Sequence, residues 1–154
     1  MNSHFLYPAA LYASSEPCII NTILGSCIAV CLWDQVIQKG GMAHYMLPLW
    51  NGEGLASPKY GNIAIDKLLE KLQSMGCQKK NIKAKIFGGG EVIDNQTSFF
   101  NVGRRNMEIA FEILKEKGIP IIGKSTGGKL GRKIIFNTYT GEVRQRYVQR
   151  QVNS

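Results

Sequence analysis

The stretch CIINTILGSCIAVCLWDQVIQKGGMAHYMLP, residues 18–48, contains the strongest secondary-structure signal in the chain. Runs rich in Ile, Val, Cys and Leu are interrupted by Gly25-Ser26 and Gly40-Gly41, and Pro48 ends the last run. Apolar, β-branched runs bounded by glycine or proline are typical of strands. The stretch therefore predicts three strands, the second and third forming a hairpin: Cys18–Leu24, Cys27–Trp33 and Met42–Leu47.

The rest of the chain alternates helices with strands. Apolar residues recur at helical spacing in Ile63–Met75 and again in Arg105–Lys117, so two amphipathic helices are predicted. Shorter apolar runs predict four further strands: Ile82–Phe87, Ile119–Ile122, Lys133–Phe136 and Glu142–Val148. The resulting order, β-β-β-α-β-α-β-β-β, has hairpins at both ends and helical crossovers in the middle. It favours an α/β (α+β) layered sandwich, in which two main helices pack on a mixed β-sheet.

Length and composition set the broad class. The chain has 154 residues, 44% of them apolar and 19% charged, which suits one globular domain over 1–154. We expect residues 1–14 and 149–154 to form peripheral tails. The N-terminus lacks the pattern of a secretory signal, and no apolar run approaches the length of a membrane span. These features favour a cytoplasmic protein without membrane insertion.

The net charge of +8 does not by itself identify a partner. Nucleic-acid binding usually combines a basic stripe with exposed aromatic residues or a recognisable module. The basic residues here are scattered in pairs and no such module is present, so the sequence favours no nucleic-acid partner. The four cysteines and two histidines lack the spacing of a zinc site, and we expect no metal.

Two glycine-rich segments are candidate ligand sites. The segment that begins at Gly123 resembles a phosphate-binding loop, but Leu130 stands where the loop needs a Ser or Thr hydroxyl. The residues that follow predict a strand instead of a helix, so a glycine-rich turn is favoured there. The second segment, Gly88-Gly89-Gly90, follows a predicted strand. Its backbone can approach a ligand closely, which makes it a candidate substrate groove, although a tight strand exit explains it equally well.

Cys27 and His44 form the candidate catalytic pair. Cys27 begins one arm of the predicted hairpin directly after Gly25-Ser26, and His44 lies on the other arm. Antiparallel pairing could bring both side chains onto one face. An imidazole beside a cysteine promotes the thiolate, which is the nucleophile. A buried cysteine without a catalytic role and a structural histidine remain the alternative interpretation.

These motifs, taken together, resemble the CheD family, the chemoreceptor glutamine deamidases of bacterial and archaeal chemotaxis. The resemblance covers about residues 15 to 148 in order. The paired LGSC and GMAHxMLP motifs are the most specific part of it. The motifs that carry it are LGSCIAVCLWD at Leu24–Asp34, GMAHYMLP at Gly41–Pro48, KYG at Lys59–Gly61, KIFGGG at Lys85–Gly90, NVGRRN at Asn101–Asn106 and GGKLGRK at Gly127–Lys133.

The resemblance implies a protein-glutamine glutaminase in which Cys27 and His44 are catalytic and no metal or other cofactor is needed. The substrates would be glutamine side chains of methyl-accepting chemotaxis receptors, and the phosphatase CheC is a possible further partner. Backbone N–H groups at Ser26 and Cys27 would hold the oxyanion. The residue that orients the histidine would be Asn21 by ungapped counting, with Thr22 as the alternative.

Two other functional hypotheses remain open at this stage. The chain could act as a non-catalytic binding or regulatory module for CheC or for a receptor array. A methylesterase side activity is also conceivable, since a thiolate that opens an amide can open an ester. In either case the positive charge would steer the protein towards acidic receptor helices.

Overall fold

The computed structural model describes residues 1–91 and 101–148, which contain nine strands, two α-helices and one short 3-10 helix. The 3-10 helix spans Lys79–Asn81. The helices are α1 (Gly61–Ser74) and α2 (Val102–Lys117). The strands are β1 (Asn2–Phe5), β2 (Ala10–Ser14), β3 (Cys18–Leu24), β4 (Ile28–Asp34), β5 (Lys39–Tyr45), β6 (Ile82–Gly88), β7 (Ile121–Thr126), β8 (Gly131–Asn137) and β9 (Val143–Val148).

The strands form two sheets that pack face to face. The four-stranded sheet has the order β1-β3-β8-β9, and the five-stranded sheet has the order β2-β5-β4-β6-β7. Both sheets are mixed, since β1 runs parallel to β3 and β6 runs parallel to β7, whereas the other pairs are antiparallel. The two helices cover the remaining face of the five-stranded sheet, and the fold therefore has three layers.

β4 lies in the middle of these layers and is buried on both faces. Ile28, Val30 and Leu32 pack in the core under the helices, whereas Ala29 and Cys31 pack in the core between the sheets. Successive side chains of a strand point to opposite faces. A strand covered on both sides therefore needs an apolar residue at nearly every position, which explains the uninterrupted run in its sequence.

The predicted class and the predicted order of elements are confirmed. β4 and β5 form the expected antiparallel hairpin, with Ala29 opposite His44. The segment that resembles a phosphate loop is a turn between β7 and β8, as expected, and Gly127 and Gly128 adopt positive φ angles of 81° and 79° within it. The turn leads into a strand and leaves no helix N-terminus to face a phosphate.

The N-terminal residues differ from the expected tail. Residues 1–14 contain β1 and β2, each at the edge of a sheet. Leu6, between the two strands, is fully buried in the core between the sheets and fixes the segment there. Both strands are too short to give a clear periodic signal, and β1 is also polar, which is why the sequence pattern missed them. The predicted C-terminal tail, residues 149–154, lies outside the described residues.

Candidate active site

Cys27 lies at the end of a bend, residues 25–27, that carries the chain from β3 in one sheet to β4 in the other. Its side chain is partly exposed and packs at the margin of the core between the sheets. The other three cysteines, Cys18, Cys31 and Cys77, are buried. Cys27 is therefore the thiol that a substrate can reach most readily.

The carbonyl groups of this bend all accept hydrogen bonds from neighbouring segments. The N–H of Gly90 donates to the Gly25 carbonyl at 3.0 Å, and the N–H of Gly89 donates to the Cys27 carbonyl at 2.9 Å. The side-chain amide of Asn106 donates to the Ser26 carbonyl at 3.0 Å. Within residues 1–91 and 101–148, no group accepts a hydrogen bond from the N–H of Ser26 or Cys27. These two N–H groups are available to an oxyanion beside the Cys27 thiol.

His44 lies on β5, and its side chain points into the space between the two sheets. It pairs with Ala29, which faces the same core, and only 1% of its surface is exposed. Cys27 lies directly before β4, and its side chain packs against the same core between the sheets that Ala29 faces. No sheet separates the two residues.

Thr22 approaches His44 from the opposite sheet. It is buried on the inner face of β3, and its Oγ1 lies 2.7 Å from Nδ1 of His44. The same hydroxyl donates a hydrogen bond of 2.6 Å to the carbonyl of Leu6. A hydroxyl has one proton to donate, so its oxygen must accept at the other contact. Nδ1 of His44 therefore carries a hydrogen and donates a hydrogen bond to Oγ1 of Thr22.

This tautomer leaves the Nε2 lone pair of His44 free to accept a proton. Nε2 is buried and has no hydrogen-bond partner among the described residues, the Cys27 thiol included. A buried polar atom without a partner is uncommon and is often found where a group has a catalytic role. Catalytic hydrogen bonds are also frequently long without substrate and shorten in the complex.

Burial favours the uncharged forms of both groups. It lowers the pKa of His44 from 6.5 to about 4, an effect that the Leu6 carbonyl partly opposes. It also raises the pKa of the Cys27 thiol above its ordinary value. At neutral pH the resting site therefore holds a neutral imidazole and a thiol instead of a preformed ion pair. A neutral imidazole can act as a general base.

Asn21, which ungapped counting favours as the orienting residue, does not contact the ring of His44. It lies on the outer face of β3, and its amide donates to the carbonyl of His4 at 3.3 Å. Thr22 makes the contact instead, because alternate residues of β3 face the core. The seven residues of β3, CIINTIL, are apolar on both faces. The alternation of the strand therefore does not show whether Asn21 or Thr22 faces the core. One signal in the sequence favours Thr22 as the buried residue. A buried threonine needs hydrogen-bond partners for one hydroxyl only, whereas a buried asparagine needs them for a carbonyl oxygen and an NH2 group.

The three glycines of the candidate groove lie beside the Cys27 bend. Gly88, Gly89 and Gly90 are buried, and the first two have positive φ angles of 105° and 67°. A Cβ atom on Gly88 would lie 2.2 Å from the Cys27 carbonyl oxygen. The N–H groups of Gly89 and Gly90 bind the bend itself and do not face solvent. The glycines therefore act by allowing close backbone approach.

A cleft of about 580 Å³ opens beside Gly89. Arg104 and Lys129 bring positive charge to its lining, and Met107 adds an apolar contact. Within the described part of the chain, no group of three or more His, Cys, Asp or Glu side chains is placed to hold a metal ion. No helix there is long and apolar enough to cross a membrane.

The site combines a reachable cysteine, neighbouring backbone N–H groups without an acceptor in the described part of the chain, and a histidine oriented by a hydroxyl. These features are typical of cysteine-dependent hydrolases. Comparison with known proteins agrees with that class. The family model described as CheD chemotactic sensory transduction matches residues 46–147. The chain belongs to the CheD family.

Individual relatives match along more of the chain than the family model does. A protein of Trichlorobacter lovleyi is 49% identical over 143 residues, which cover 93% of this chain and 89% of the relative. A protein of Sulfurimonas denitrificans is 46% identical over 95% of this chain and 94% of the relative. One from Rhodospirillum rubrum is 42% identical over 97% and 84%. All three are named probable chemoreceptor glutamine deamidase CheD.

Proposed function

We propose that this chain hydrolyses the side-chain amide of glutamine residues in methyl-accepting chemotaxis receptors, with Cys27 as nucleophile and His44 as general base and acid. The names of its relatives support the substrate class. The observation that carries the mechanism is the contact between Thr22 and His44. It fixes the tautomer that leaves Nε2 free on the side of the sheet where the Cys27 thiol is found.

The first half of the reaction forms a thioester. Sγ of Cys27 attacks the amide carbon, and the thiol proton moves to Nε2 of His44. The N–H groups of Ser26 and Cys27 donate to the oxygen that becomes negative in the tetrahedral intermediate. The carbon–nitrogen bond then breaks as His44 returns the proton to the departing nitrogen. Ammonia leaves, and the receptor side chain remains bound to sulfur.

The second half hydrolyses the thioester. Water takes the place of ammonia and loses a proton to the neutral His44, while its oxygen attacks the thioester carbon. The carbon–sulfur bond breaks, and His44 returns its proton to the Cys27 sulfur. The receptor leaves with glutamate in place of glutamine. Thr22 accepts the Nδ1 hydrogen bond throughout and stabilises the ring when it is charged, and no cofactor takes part.

The surface beside Cys27 suits an acidic helical substrate. Gly89, which bonds the Cys27 bend, also lines the cleft, where Arg104 and Lys129 outnumber Glu91. The net charge of +8 adds a long-range attraction for receptor helices rich in glutamate. We place the reaction in the cytoplasm, where those helices lie, and include the phosphatase CheC as a further partner.

The direct test is conversion of a purified cytoplasmic receptor fragment in water enriched in oxygen-18. Hydrolysis introduces one solvent oxygen into each new glutamate, and peptide mapping by mass spectrometry locates it. We expect labelled glutamate at specific former glutamine positions. A fragment that binds the protein but gains no label would contradict the enzyme and favour the non-catalytic binding role.

A further inference from the structure

Asn106 connects the two segments that carry the candidate catalytic residues. It lies on α2 and is fully buried. Its side-chain nitrogen donates to the carbonyl of Ser26 at 3.0 Å and to the carbonyl of Met46 at 2.9 Å. Ser26 directly precedes Cys27, and Met46 follows His44 by two positions.

These two contacts lie where the β4–β5 ladder ends. Ile28 and Tyr45 form its last pair on this side. Continuing the register by one step would pair Cys27 with Met46. Beyond that pair the strands diverge, because Ser26 turns back towards β3 and Met46 donates its N–H to the carbonyl of Lys59. The amide of Asn106 thus joins the two chains where backbone pairing no longer does.

The chemistry of the contact determines how the amide is oriented. Both partners are carbonyl oxygens, which can only accept, and an amide nitrogen has two hydrogens to donate. The reverse orientation would bring the Asn106 oxygen against both carbonyls. The oxygen has no partner among the described residues, so nothing there competes for the present orientation. The helix turn is also anchored to β5, since the Tyr45 hydroxyl donates to the main-chain carbonyl of Asn106.

We propose that Asn106 is a positioning residue that sets the separation between the Cys27 thiol and the His44 ring. This inference rests on the proposed function of those two residues. Without the two hydrogen bonds, the bend at Ser26 and the end of β5 can move independently. A misplacement of about 1 Å between reacting groups can lower a rate about 100-fold. Substrate binding does not need this contact, because Asn106 is buried beneath the site.

The test measures kcat and KM for receptor-fragment deamidation in Asn106→Ala. We expect kcat to fall about 10- to 100-fold, with little change in KM. Asn106→Leu serves as a second variant that keeps the number and branching of the side-chain heavy atoms and improves helix propensity. Alkylation of Cys18, Cys31 and Cys77 by iodoacetamide reports on folding, since these thiols are buried in the intact protein.

Asn137→Ala is the matched control. The Asn137 side chain also makes two hydrogen bonds to backbone, accepting from the N–H groups of Tyr139 and Thr140 at 2.9 and 3.1 Å. Asn137 is the last residue of β8, before the turn to β9, and its side chain makes no hydrogen bond to Ser26 or Met46. A general effect of losing two such bonds would appear in this variant as well.

The outcomes separate the inference from the proposed function. A low kcat in a folded Asn106 variant, with Asn137→Ala close to the wild type, supports the positioning role. Wild-type kcat in either folded Asn106 variant overturns it, as does an equal loss of kcat in Asn137→Ala. If Cys27→Ala remains active, the proposed mechanism itself fails. If Cys27→Ala is inactive and Asn106→Ala is fully active, only the positioning role fails.

Discussion

The hydroxyl of Thr22 and Nδ1 of His44 lie 2.7 Å apart across the space between the two sheets. Thr22 belongs to the four-stranded sheet and His44 to the five-stranded sheet. The contact therefore depends on how the two sheets pack as well as on either strand alone. It defines the tautomer of the neutral ring before any substrate arrives.

Replacing Thr22 with valine should lower kcat about 10- to 100-fold, because the shape is kept and the acceptor for Nδ1 is lost. The ring would then be free to change tautomer or to turn. Thr22→Ser keeps the hydroxyl and should recover most of the activity. Asn21→Ala should behave as the wild type, since Asn21 faces away from the ring. An equal loss in Asn21→Ala and Thr22→Val would contradict this assignment.

The pH dependence of kcat/KM should reflect a base with a low pKa. His44 must be neutral to accept the thiol proton, and burial lowers its pKa to about 4. Activity should therefore persist through mildly acidic pH and decline only as the pH falls towards 4. If kcat/KM instead declines with a pKa near 6.5, the ordinary pKa of histidine, the ring of His44 is not held in this buried, neutral state.

Stability should depend on pH through the same group. The unfolded chain binds a proton at His44 near pH 6.5, whereas the folded chain resists it until about 4. The free energy of unfolding therefore holds its full value above pH 6.5 and falls as the pH drops through this interval. The loss amounts to about 3 kcal/mol.

His44→Gln isolates that contribution, since the variant cannot take up the proton. Chemical denaturation of both proteins at a series of pH values should show the wild type losing stability more steeply between pH 6.5 and 4. If the free energy of unfolding changes with pH in the same way in both proteins, the pH dependence does not come from a buried neutral His44.

The sequence predicted the candidate pair because Cys27 and His44 occupy distinctive places in a hairpin, and their catalytic roles stay a prediction. It also predicted the layered fold, since the long apolar runs and the two amphipathic helices have clear periods. It could not choose Thr22 over Asn21, because β3 is apolar on both faces and the contact comes from another sheet. The sequence did not predict the strands β1 and β2 for a related reason. Their pairing depends on tertiary contacts of Leu6, and short edge strands have little pattern of their own.

Asn106 shows a second limit of sequence reasoning. Its helical position was predicted, but its role depends on two carbonyl groups that lie 60 and 80 positions away along the chain. Every residue has a main-chain carbonyl group, so the residue type does not show which carbonyl will accept a hydrogen bond from Asn106. Only the packing of α2 on the ends of β4 and β5 reveals them.

Gly88→Ala should reduce both stability and activity. The new Cβ would lie 2.2 Å from the Cys27 carbonyl oxygen, and φ at this position is 105°. Gly118→Ala is the matched control, since φ there is 71° and nothing lies within 4 Å of a new Cβ. The control should lose only about 1 kcal/mol, the ordinary cost of a left-handed non-glycine residue. Equal losses of activity in the two variants would contradict a close contact between Gly88 and the Cys27 bend.

The central claim is that Cys27 is the nucleophile, and the most direct measurement is receptor-fragment deamidation by Cys27→Ala. We predict no conversion of glutamine to glutamate, with an unfolding temperature close to that of the wild type because Cys27 is partly exposed. Cys77→Ala, which removes a thiol far from His44, should convert the fragment at the wild-type rate. Conversion by Cys27→Ala at a rate comparable to the wild type would contradict the account.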